Sequence, residues 1–227
     1  MSAQPRTIWV GGPRRAALGG IFWMLTVVFF VGQAIAQANW AGTPFSLVHN
    51  TVSDLGTTAC QNAVRDGRSV YLCSPAHTAM NVAFVLTGLL ILAGLALLRD
   101  RWPSTRLSQA AVSCLALAGI GKVLVGLVPW NVDFAVHTLG GLGFLVGDVG
   151  LLLLGLTLRA ERRWSALALV IGAVGLFGLL TAPAGIGLAE RLADYPMFVW
   201  FVLVGAGAIR HTRPAAAATP LAESRTT

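Results

Sequence analysis

The chain has 227 residues, of which 56% are hydrophobic and only 11% charged, and its mean hydropathy is +0.73. So little charge cannot clothe a soluble domain of this length, which leaves a protein solvated largely by lipid. The net charge of +7 comes from arginines that flank apolar runs. That arrangement suits anionic lipid headgroups and argues against a nucleic-acid partner.

A bilayer crossing needs roughly 20 apolar residues in a helix. Six stretches meet that need, at about 17–38, 77–98, 107–128, 136–158, 164–183 and 196–210. None shows the two-residue alternation of a barrel strand, and lipid tolerates only helices or closed barrels. The expected fold is therefore all-α, a polytopic bundle of six transmembrane helices spanning 17–210. A short N-terminal segment, 1–16, precedes it.

The first stretch follows Arg14 and Arg15 and ends in "AQA", as a cleavable signal would. Its apolar run exceeds the ~7–15 residues of a signal's central region, so an uncleaved helix is expected. The long connection 39–76 comes next. Its polar opening, "HNTVSDLGTTAC" (His49 to Cys60), reads as a turn capped by Asn50, Ser53 and Asp54, with Gly56 at positive φ. Cys60 and Cys73 lie in this same connection and are expected to form a disulfide, whereas Cys114 reads as a packing residue.

The remaining connections alternate in character. "RDRWPSTR" and "RAERRW" are short and basic, with Trp102 and Trp164 as interfacial anchors. "PWNVDFA" and "APAGIGLAERLADY" are nearly free of Lys and Arg. The tail 211–227 is Pro- and Ala-rich, without apolar periodicity, and reads as disordered. Counting Lys and Arg assigns the sides. Arg6, Arg14, Arg15, Arg99, Arg101, Arg106, Arg159, Arg162, Arg163, Arg210, Arg213 and Arg225 fall on one side. Arg65, Arg68 and Arg191 fall on the other, and Lys122 lies within a helix. The positive-inside bias puts both termini in the cytoplasm and 39–76 outside the cell membrane.

Ionisable residues inside a span are costly and usually face the bundle interior. His77 opens the second helix with Asn81 one turn deeper. Lys122 lies two turns inside the third, too far in to snorkel, and calls for a buried acid. Asp54 is the first choice for that partner and Glu190 the second. His137 and Asp148 share a face of the fourth helix. Glu190 and Arg191 lie just ahead of the sixth. Apart from Asp148, these groups fall in the outer half. The expected site is a pocket formed by Asn50, Ser53, Asp54, His77, Asn81, Lys122, His137, Glu190 and Arg191, roofed by the long connection. Each also has a plainer structural role available, as an interfacial histidine, an interhelical hydrogen bond or a solvated ion pair. Glycines 140, 143, 147 and 150 on the fourth helix, and 172, 175 and 178 on the fifth, read as close-packing faces.

The segments "NTVSDLG", "CSPAHTAMN", "GIGKVLVGLVPWN", "HTLGGLGFLVGD" and "GLAERLADYPMFVW" carry a resemblance. In that order the chain resembles the bacterial and archaeal membrane proteins catalogued as domain of unknown function nine-nine-eight, over about residues 15–210. More distantly, the Ser53-Asp54-x-Gly56 loop, Asn81 and His137-x-x-Gly140 are similar to the Frag1/DRAM/Sfk1 membrane proteins, which are associated with lipid-anchor remodelling, autophagy and lipid asymmetry. The resemblance implies a six-helix fold and assigns no reaction.

Three functional readings remain open. The first is a pocket that binds a membrane lipid or an amphipathic small molecule, with no cofactor expected. The second is a lipid amide or ester hydrolase. It holds zinc through His49, Asp54, His77 and His137, or works without metal through Asp54 and His137 as acid and base. The third is a transporter component. The oligomeric state is open.

Overall fold

The computed structural model describes residues 12–210, so the expectations for the first residues and for the tail 211–227 lie outside the described part. The chain is mostly helical, with six helices long and apolar enough to cross a membrane. They are α1 (Pro13–Ala38), α2 (His77–Leu97), α3 (Arg106–Leu127), α4 (Phe134–Thr157), α5 (Arg162–Ala184) and α6 (Ile186–Arg210). At 1.5 Å per residue the shortest is roughly 30 Å long, enough for the hydrocarbon core. α1 tightens into a 3₁₀ turn at Leu25–Val27, and α5 ends in one at Leu179–Ala184.

Two helices begin earlier than hydropathy suggests. Pro13 starts α1, where its missing N–H costs nothing. α6 starts at Ile186 rather than 196, so Glu190, Arg191 and Asp194 lie within its first turns. The apolar average fails there because polar residues of this segment face protein: Arg191 and Asp194 are 7% and 1% exposed.

Each helix packs on the next, and α6 packs back on α1, so the six close into a ring. Glycines set the closest approaches. Gly121 of α3 meets the backbone of Gly140 and Gly143 on α4, and Gly20 of α1 meets that of Gly205 on α6. Lipid supplies no hydrophobic drive between helices, so these backbone-to-backbone contacts, together with interior polar bonds, hold the ring. At the end opposite the long connection, Trp23 is wholly buried and donates its indole N–H to the Ile91 carbonyl at 3.2 Å. Trp102 packs on it at 5.8 Å and on Trp200 at 6.2 Å, so it belongs to the packed end of the bundle as well as to the connection.

The long connection has its own structure. Strands β1 (Gln61–Arg65) and β2 (Arg68–Leu72) form an antiparallel hairpin about Asp66 and Gly67, both at positive φ. An Asp-Gly pair between two five-residue strands is the usual signature of a tight hairpin turn. Cys60 and Cys73 are disulfide-bonded across its base. Segment 41–43 lies beside β2, through Ala41 N–H to the Cys73 carbonyl at 3.0 Å and Thr43 N–H to the Tyr71 carbonyl at 2.8 Å.

Candidate functional site at the loop end of the bundle

The stretch from Asn50 to Gly56 lies against the helix ends and ends in a 3₁₀ turn, Ser53–Gly56. Asp54 is its hub and is wholly buried. Its Oδ2 accepts from Thr51 N–H at 3.0 Å and from Asn50 Nδ2 at 3.3 Å. Arg65, on the hairpin, adds a two-pronged salt bridge: Nε donates to Oδ2 at 3.2 Å and Nη2 to Oδ1. A carboxylate held by a fork of donors and a backbone amide is well satisfied even when buried. This answers why the loop carries an acid.

α2, α4, α6 and the connection before α4 are each tied to this stretch. From α2, Asn81 Nδ2 donates to the Gly56 carbonyl at 2.9 Å. Gly56 does not adopt the expected positive φ. Its lack of a side chain leaves room for Asn81, whose Oδ1 would lie 2.3 Å from an added Cβ. From α6, Glu190 accepts from Val52 N–H at 2.5 Å and from the Ser53 hydroxyl at 2.9 Å. Arg191 Nη1 donates to the carbonyls of Leu47, Asn50 and Gly187 at 2.6–2.9 Å. The connection before α4 contributes Trp130, whose indole N–H donates to Thr57 Oγ1 at 2.9 Å.

His137, near the start of α4, completes the set. Its Nδ1 lies 2.8 Å from the Val128 carbonyl oxygen and its Nε2 lies 3.0 Å from Ser53 Oγ. A carbonyl only accepts, so Nδ1 carries a proton and donates it, leaving Nε2 of the neutral ring as an acceptor facing the hydroxyl. Ser53 Oγ thus lies between His137 Nε2 and Glu190 Oε1, and its one proton is donated to only one of them at a time. A cavity of about 430 Å³ opens beside it. Val64, Trp130, Phe134 and Ile186 give that cavity apolar walls, and Thr51, Ser53, Arg65, Asp66 and His137 give it polar ones.

Six of the nine expected pocket residues therefore fall in one network: Asn50, Ser53, Asp54, His137, Glu190 and Arg191. Asn81 pins the loop from beside it. His77 bonds through Nδ1 to the Ser74 carbonyl at 3.0 Å, which secures the start of α2. Lys122 departs from expectation. It pairs with neither Asp54 nor Glu190, whose oxygens are occupied as above, but with Asp194, at 2.5 Å. Asp194 lies one turn deeper than Glu190 on the same face of α6, level with the lysine. Three phenylalanine rings surround the ammonium, Phe84 at 5.2 Å, Phe29 at 5.4 Å and Phe198 at 5.6 Å. The two layers are thus distinct: a bonded loop above, and a buried ion pair in an aromatic box below.

The zinc set is likewise not assembled. His49 turns outward to the hairpin, with Nδ1 at 2.7 Å from Asp66 Oδ2. Asp54 is held by Arg65, His77 by Ser74, and His137 faces Ser53. Among the described residues no cluster of three or more His, Cys, Asp or Glu is placed to hold a metal ion. Arg65 and Asp194 are the members of these two layers that the sequence did not single out. The Asp-Gly turn carries a signal for the first, since register opposite Arg68 places Arg65 at the hairpin end. Asp194 carries only its helical spacing from Glu190.

No curated protein and no solved structure matches the chain. The match is to the family described as "Protein of unknown function (DUF998)", over residues 24–207, which takes in four helices whole (α2 to α5), all but the first turns of α1 and the last residues of α6, and every residue of the network above. With six helices long and apolar enough for a multi-pass membrane protein, the chain belongs to that family.

Proposed function

We propose that this protein binds an amphipathic molecule, a lipid or a lipid-like small molecule, in the cavity at its loop end, on the outer side of the cell membrane. The supporting observation is the cavity itself. At about 430 Å³, with apolar walls and a few converging polar groups, it has the size and make-up of a small-ligand site. Trp130 and Phe134 lie at the helix ends, the level at which a bilayer changes from headgroup to chain. An acyl or prenyl chain fits against them, and a polar head fits toward Ser53, His137 and Arg65. The arginine excess opposite this end supports the outward assignment.

Photo-crosslinking tests the reading. A lysophospholipid carrying a diazirine near its headgroup is expected to react with peptides covering 61–66 and 130–137. Phe134→Asp, which puts a charge in the apolar wall, is expected to suppress that reaction. Adducts confined to outward-facing helix residues such as Leu139 and Val170, with no change in the variant, would contradict it.

A further inference from the structure

We propose that Ser53 is a nucleophile and His137 its general base, and that the ligand held beside them is a carboxylic ester of a lipid-like alcohol or acid. This rests on the binding reading above and adds a reaction to it. Four observations carry it. Ser53 Oγ and His137 Nε2 are 3.0 Å apart, within proton-transfer reach. The Nδ1 of the same ring is fixed on the Val128 carbonyl at 2.8 Å, so a third group orients the base and selects its tautomer. Both side chains line the cavity, so an ester group placed there meets the hydroxyl.

The fourth is Arg65, on the same cavity wall. A guanidinium has five N–H donors. Arg65 uses three, two on Asp54 and one on the Val64 carbonyl at 3.0 Å, and its plane is steadied over Trp130 at 4.8 Å. Two donors remain for an oxygen that gains negative charge.

The step balances without any further reagent but water. Ser53 Oγ bonds to the ester carbonyl carbon while its proton passes to His137 Nε2. The carbon–oxygen bond to the alcohol breaks, and His137 returns the proton to the departing oxygen. Water, or a second lipid alcohol, then attacks the acyl group on Ser53, gives its proton to His137, and Oγ leaves with that proton. Glu190 contributes position. By accepting from Val52 N–H it fixes the turn that carries Ser53, and the step begins when the single hydroxyl proton turns from Glu190 Oε1 to His137 Nε2.

A long-chain alkyl fluorophosphonate, which phosphonylates activated serines, is the direct probe on the full chain in detergent. Peptide mapping is expected to find the adduct on Ser53, and His137→Gln is expected to slow its formation by about 10²-fold or more. Ser53→Ala is expected to abolish it. Should the variants not fold, the unmodified protein still decides. Crosslinking in the cavity with no phosphonate on Ser53 overturns the nucleophile and leaves binding in place. Absence of both overturns the binding reading as well.

Discussion

Lys122 and Asp194 are 6% and 1% exposed and sit among phenylalanine rings. Taking one partner away leaves the other charged in a buried site, a loss of about 3–5 kcal/mol, whereas replacing both with apolar groups is close to neutral. Lys122→Met and Asp194→Leu are each expected to lower the unfolding temperature in detergent strongly. The double variant is expected to recover most of the loss. A double variant as unstable as the sum of the two would show that the pair contributes through something other than mutual neutralisation. That Lys122 needs an acid is legible in the sequence, because a lysine two turns inside a span has few alternatives. Which acid is not legible, because the choice depends on where α6 begins. Read as a loop, "GLAERLADY" offers Glu190; read as three turns of helix, it carries Asp194 down to the lysine. The Ser53–His137 contact spans 84 residues in sequence and depends on the loop's path, which no local pattern records.

Helix seams show the same division between what hydropathy dictates and what packing decides. The glycines of α4 and α5 announce close approach, yet several answer to side chains, Gly175 most tightly. Asp148 of α4 is fully buried, and neither of its carboxyl oxygens has a hydrogen-bond partner among the described residues. A Cβ added to Gly175 of α5 would lie 2.2 Å from that carboxyl group. Gly175→Ala is therefore expected to destabilise by about 1–3 kcal/mol through overpacking. Asp148→Ala, which removes a buried polar group with no partner, is expected to leave stability unchanged or higher and to suppress the Gly175→Ala loss. Thermal unfolding of the four proteins of this cycle checks it, and additive effects would contradict the contact. The hairpin in the long connection was legible in principle from Asp66-Gly67 between alternating strands. Polarity and a low apolar average instead mark the whole segment as a plain loop.

At the level of the whole molecule, six spans closed into a ring leave one end covered by a tied-down connection and the other by short basic turns. Function follows from which end faces which compartment. The number of spans and their order are legible because each is a long apolar run. The roof over the cavity is legible only in outline, since its bonds to α2, α4 and α6 each join residues far apart in sequence. An outward-facing cavity is the central claim, because it determines whether the site meets envelope lipids or the cytoplasm. Cysteine labelling in intact cells tests it, in a Cys114→Ala background with the native disulfide retained. Ser69 on the hairpin and Ser104 in the basic turn are both exposed and lie at opposite ends of the bundle. A membrane-impermeant maleimide is expected to label Ser69→Cys in intact cells and Ser104→Cys only after permeabilisation. Labelling of Ser104→Cys in intact cells, with Ser69→Cys protected, would place the cavity on the cytoplasmic side and contradict the account.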